Sequence, residues 1–209
     1  MNKRAMAFGL GALVLPALPA AAEVEYHVGA VSDYIWRGVS QTDDHAAIQG
    51  GVDLKHESGL YAGAWASNVD FADADLELDL RAGVALKSRG GWGWDLGVIG
   101  YRYDESRFNR EEWYVGVTYA YLSGKVWHDW DNDDTYTEGN ARFEMGSGFY
   151  AIAHGGFFAR DRAEDYSDYA LALGREFSDF DARVTFSNTD LNQSERDDSA
   201  VVFSLRTRW

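Results

Sequence analysis

Residues 76–87 read LELDLRAGVALK, and their alternation decides the fold. Leu76, Leu78, Leu80, Ala82, Val84 and Leu86 share one face, while Glu77, Asp79, Arg81 and Lys87 share the other. A helix would gather its apolar residues at spacings of three and four, whereas a repeat of two held over the whole segment belongs to a strand. The same alternation returns in Trp113, Val115, Val117, Tyr119 and Tyr121. It returns again in Phe180, Ala182, Val184 and Phe186, and in the closing run Val201, Phe203, Leu205, Thr207 and Trp209.

Working outward, turn residues divide the chain at regular intervals. Short connections are expected at 57–59, 88–91, 123–124, 146–148 and 178–179. Longer polar connections are expected at 38–45, 72–75, 104–110, 131–135, 159–165 and 190–198. Long and short alternate strictly, which gives about twelve antiparallel strands of roughly ten residues. This is the pattern of a single transmembrane β-barrel with short periplasmic turns, longer extracellular loops and both termini at the periplasmic rim.

Composition bounds the alternatives. The 209 residues include 22 glycines, two prolines and no cysteine, which excludes a disulfide scaffold. Only the N-terminus approaches the length of uncharged sequence that a membrane helix needs. There Lys3 and Arg4 precede an apolar run that ends in Ala20-Ala21-Ala22, the pattern of a cleaved signal peptide over 1–22. The barrel domain then spans 23–209. A net charge of -15 becomes -17 once Lys3 and Arg4 are removed, and it argues against nucleic acid as a partner.

A soluble β-sandwich also alternates, but its buried face would be rich in Val, Ile and Leu. Aromatics speak for the barrel instead. Tyr34, Trp36, Trp65, Phe71, Trp113 and Tyr166 are expected near the loop rim, and Tyr61, Trp92, Trp94, Tyr121, Phe149 and Phe180 near the turn rim, as two interfacial girdles. Phe203, Leu205 and the terminal Trp209 resemble the signal read by the outer-membrane assembly machinery.

The stretch Ser32-Asp33-Tyr34-Ile35-Trp36-Arg37-Gly38-Val39-Ser40-Gln41-Thr42, followed by Gln49-Gly50-Gly51-Val52-Asp53 and by 58–71 (SGLYAGAWASNVDF), resembles the TorF family of porins. Asp43-Asp44-His45-Ala46-Ala47 stands where members of that family often carry a proline, so a differently shaped first loop is expected. The resemblance implies an outer-membrane location and passive transport of small polar solutes. It supplies no catalytic residues.

Alternation then assigns the inner face. Asp33, Arg37, Gln49, Asn68, Asp70 and Glu77 are expected there near the loop rim, as a polar mouth whose opposed charges select solutes. Alternatively Arg37 locks the first loop to Asp33 or Asp70 and passes nothing, which leaves a plugged structural or surface-interaction barrel. The acidic loops would favour cations, or bridge to lipopolysaccharide through divalent ions.

An enzyme is not expected. His27, His45, His56, His128 and His154 are scattered, and neither a Gly-x-Ser-x-Gly elbow nor a His-Glu-x-x-His motif occurs. His128 and Asp129 are adjacent and so point to opposite faces of a strand. The run 129–134 (DWDNDD) lacks the glycine and terminal glutamate of an EF-hand. No cofactor or metal is assigned.

Overall fold

The computed structural model describes residues 22–191 and 199–209. Its strands are β1 (Ala22–Val31), β2 (Ile35–Trp36), β3 (Val39–Ser40), β4 (Ala47–His56), β5 (Leu60–Phe71), β6 (Ala74–Lys87), β7 (Trp92–Tyr103), β8 (Arg110–Tyr119), β9 (Leu122–Asp129), β10 (Asp134–Gly146), β11 (Phe149–Ala159), β12 (Tyr166–Glu176), β13 (Phe180–Thr189) and β14 (Ala200–Arg208). Twelve of them close into one antiparallel barrel, in which each strand pairs with its sequence neighbour and β14 returns to β1. Closure leaves no strand edge unpaired. Trp209 finishes the seam with backbone hydrogen bonds to and from Tyr26 at 3.1 and 2.9 Å. The remaining two strands, β2 and β3, form a small hairpin apart from the wall.

The deciding segment behaves as its alternation requires. Leu76, Leu78, Leu80 and Leu86 are exposed on the outer surface, while Glu77 is only 1% exposed inside. The expected alternation holds elsewhere too: Trp113 and Val115, Phe180, Val184 and Phe186, and Val201, Phe203 and Leu205 all lie exposed outside. The outside of this barrel is therefore apolar and the inside polar, the inverse of a soluble protein. That arrangement is stable only where the outer face meets something other than water.

Three connections differ from expectation, and the first of them, expected at 38–45, begins already after Val31 and carries β2 and β3. The third short turn falls at Ala120-Tyr121, because Ser123 and Gly124 continue the β9 ladder opposite Thr118 and Val117. The expected long connection at 72–75 is a two-residue turn, Ala72-Asp73, with both residues at positive φ (47° and 75°). Tight hairpins with both central residues left-handed match the twist of the flanking strands, so Ala74 and Asp75 join β6 rather than a loop. In the connection between β13 and β14, residues 192–198 lie outside the described residues, as does the expected signal peptide apart from Ala22, which opens β1.

The girdles also differ. Trp92, Trp94, Trp113, Tyr121, Phe149 and Phe180 are exposed outside, but Tyr34 and Trp36 lie in the segment that turns inward. Trp65, Tyr166 and Tyr61 face the lumen with them, where Tyr34 packs edge-on to Trp65 and Tyr166 edge-on to Phe158. In β5 small residues take the outer face at Ala62, Ala64 and Ala66, so size does not announce which face is in.

Candidate functional site

The connection between β1 and β4 folds into the barrel instead of standing above it. Its hairpin, β2 and β3, turns at Arg37 and Gly38, both at positive φ (49° and 81°). Gly38 is required there: a Cβ would come 2.7 Å from Cβ of Asp168 on the wall. Arg37 holds a conformation that costs a non-glycine residue about 1–3 kcal/mol, and its surroundings offset that cost. Its guanidinium donates twice to the Glu112 carboxylate on β8, at 2.9 and 2.7 Å. It also rests against the rings of Trp36, Tyr136 and Phe158, at 4.1, 4.4 and 4.8 Å. Tyr136, Phe158, Tyr166 and Leu191 make a small apolar core inside the loop-rim end of the lumen, against which Trp36, Val39 and Trp127 pack.

Asp33 shapes the same segment. One carboxylate oxygen accepts from Ser40 Oγ at 2.6 Å and Thr42 Oγ1 at 3.0 Å, and Thr42 Oγ1 accepts from the Tyr34 backbone N–H at 3.0 Å. The Asp70 N–H, donating to Gln41 O at 2.7 Å, ties the far end to the wall.

Of the six residues assigned to the mouth, Asp33, Arg37, Gln49 and Glu77 face the interior. Glu77 accepts from Tyr103 Oη at 2.6 Å. Asn68 and Asp70 do not join them, and both are exposed. Inward positions of β5 are Tyr61, Gly63, Trp65 and Ser67, which puts Asn68 on the outer parity. There its side chain accepts from Ile48 N–H at 2.8 Å and donates to Ala46 O at 3.2 Å, patching the rim of the β4–β5 ladder. A register break between Asn68 and Phe71 then displaces Asp70. The lock on Arg37 is Glu112, 75 residues away, rather than Asp33 or Asp70.

Large inward side chains leave room in the lumen, both beside the segment and below it, for a specific reason. Three times, an inward tyrosine lies flat across a glycine of the next strand and donates to an aspartate one strand further. Tyr61 crosses Gly83 to Asp95 at 2.6 Å. Tyr136 crosses Gly156 to Asp168 at 2.9 Å. Tyr150 crosses Gly174 to Asp181 at 2.8 Å. A methyl group on any of these glycines would overlap the ring. Because Tyr61 spends its proton on Asp95, Tyr114 is the donor in the 2.5 Å contact between the two hydroxyls. Sequence reading passed over these glycines, although their inward parity was the available signal.

Charges on the wall pair locally. Arg81 donates to Asp53 at 2.6 Å and Lys125 to Asp95 at 2.7 Å, while Lys55 pairs with Glu25. His154 sets one ring nitrogen 2.9 Å from Asp168 and the other 2.8 Å from Asn140 Oδ1. Asp129 is buried and caps its own turn, accepting from the backbone of Asp131 and Asn132 at 2.9 and 3.1 Å. His128 meets Thr135 instead. Three cavities remain: one of about 540 Å³ bounded by the inward segment, one of about 260 Å³ at mid-wall, and one of about 910 Å³ reaching the turn rim. Tyr34 and Trp65 line both the first and second, Asp53, Arg81 and Ile99 the second and third, and Trp127, Glu138 and Asn140 the first and third.

Comparison with solved structures places this architecture among porin folds. The KdgM porin superposes with a TM-score of 0.61 at 7% identity, covering 90% of this chain and 98% of that one. A second KdgM structure, described as in complex with disordered oligogalacturonate, gives the same values. The NanC porin gives 0.60 at 11% identity, covering 89% and 98%. At such identities the likeness is one of fold. No curated protein matches the sequence. The TorF name suggested by the first strands gains no support from these matches, whereas a porin-like barrel does. A family model described as "Bacterial protein of unknown function (Gcw_chp)" matches residues 17–205, and the chain belongs to that family.

Proposed function

We propose that this chain is an outer-membrane channel for passive diffusion of small hydrophilic solutes, exported by its N-terminal signal peptide and seated among outer-membrane lipid and lipopolysaccharide. The observation that carries the reading is the run of cavities with shared walls, from the inward segment to the turn rim, inside a barrel whose outer face is apolar. The porin folds of KdgM and NanC and the TorF-like motif support it. Catalysis has no part in this reading, and no cofactor is invoked.

A modest preference for cations belongs to the same proposal. Asp43 and Asp44 are exposed on the inward connection. Such charges lower the energy of cations near the mouth. Purified protein in a planar bilayer should show conductance steps, with a reversal potential in a salt gradient shifted toward the cation. Deleting Trp209 should lower assembly, because its two backbone bonds to Tyr26 extend the closing seam; the fraction of heat-modifiable barrel measures this.

One observation favours a second reading. The Arg37 clamp on Glu112 and its ring contacts hold the inward segment firmly, as a plugged structural or surface-interaction barrel would require. Absence of any conductance in the wild type, with a correctly folded barrel, would select it.

A further inference from the structure

Three luminal cations share one arrangement, an aromatic face, the cation and an answering carboxylate. Arg37 lies on Trp36 and Tyr136 and is answered by Glu112. Lys125 lies over Tyr114 and Trp127, at 4.4 and 4.8 Å, and is answered by Asp95. Arg142 lies 3.7 Å over Tyr150 and is answered by Glu144 and Glu176.

A fourth set lacks its middle member. Trp65 and Tyr34 pack edge to face with centroids 5.5 Å apart, and no cation of the described residues rests on either ring. Both line the 540 Å³ cavity, as does Asp33. Asp33 is 6% exposed, and its second carboxylate oxygen has no hydrogen-bond partner among the described residues. Glu138 and Asp168 add two carboxylates that share His154, while of the cavity's arginines Arg37 is committed to Glu112 and Arg183 stands on β13, away from Trp65 on β5. Buried Ala172 and Val202 supply an apolar strip inside an otherwise polar barrel. Aromatic faces attract a positive charge through their quadrupole, and an apolar wall takes the body that carries it.

We propose that the cavity beside Trp65, Tyr34 and Asp33 is a binding site for a small organic cation, an amine or quaternary ammonium with an apolar body, which supplies the missing member of this fourth set. The site rests on the channel reading only for the solute's route in.

The test uses choline as the probe on the full barrel, with maltose and digalacturonate as comparators. Tryptophan fluorescence of the detergent-solubilised protein should change saturably with choline. The apparent affinity should fall by about tenfold in Trp65→Ala, hold closer to the wild type in Trp65→Phe, and stay unchanged in Trp94→Ala, whose ring lies on the outer face. In bilayers, choline should interrupt the ionic current where an equal concentration of maltose does not. Equal or stronger responses to maltose would assign the site to neutral saccharides, and tighter binding of digalacturonate would assign it to anions; either overturns the proposal. So would an unchanged affinity in a folded Trp65→Ala. A choline response without any conductance would remove the channel reading and leave the site standing, whereas conductance indifferent to choline would do the reverse.

Discussion

The two ends of the lumen are built by opposite means. At the loop rim the barrel is filled by added chain: the segment between β1 and β4 folds inward, carries its own two-strand hairpin, and is clamped through Arg37 to Glu112 among aromatic rings. At the turn rim the barrel is hollowed by missing side chains. Glycines such as Gly83 and Gly174 let Tyr61 and Tyr150 lie flat against the wall, and a cavity of about 910 Å³ remains. The wall alone therefore does not set the bore: the same alternating wall is filled where a caged arginine anchors an added segment and is open where no such segment enters.

Removing the filling should have the largest effect. Replacing Ile35–Ser40 by a short glycine link is expected to raise single-channel conductance several-fold, since the wall strands do not depend on β2 and β3 for pairing. If conductance is unchanged, the segment does not limit the bore. Next in size is the clamp. Arg37→Ala leaves Glu112, 1% exposed, with a buried charge and is expected to cost about 3–5 kcal/mol in a denaturant titration. Adding Glu112→Ala should recover part of that loss, and strict additivity of the two would show that they do not interact.

At the hollow end the effects should be smaller. Gly83→Ala forces its Cβ against the Tyr61 ring; displacing the ring is expected to cost about 1–3 kcal/mol and to lower conductance by turning the tyrosine into the lumen. Tyr150→Phe, which keeps the ring and removes the hydroxyl that donates to Asp181, is expected to cost about 1–2 kcal/mol with little change in conductance. A conductance loss in Tyr150→Phe as large as in Gly83→Ala would mean that hydrogen bonding, rather than the room beneath the ring, keeps this end open.

Strand content, barrel closure and the direction of most side chains were legible because β6, β8, β13 and β14 each alternate large apolar residues with polar, charged or small ones. The alternation faded in β5, where alanines face out and Trp65 faces in, and with it went the assignments of Asn68 and Asp70. Alternation also assigned Asp33 and Arg37 to the interior, where they do lie, although the inward segment rather than a wall strand carries them there. The partner of Arg37 was not legible, because Glu112 is brought to it by closure of the barrel rather than by nearness in the chain. The inward course of residues 32–46 was hidden for a related reason. What draws it in is an aromatic and anionic cage assembled from β8, β10, β11 and β12, none of which can be matched to it before the strands are placed in order.

If the lumen conducts and the Arg37 segment limits it, single-channel recording of the wild type beside the Arg37→Ala/Glu112→Ala double variant will separate the two. Discrete steps in the wild type that become larger or more often open in the variant are the expected result. A wild type and a correctly folded double variant that both stay silent would contradict it.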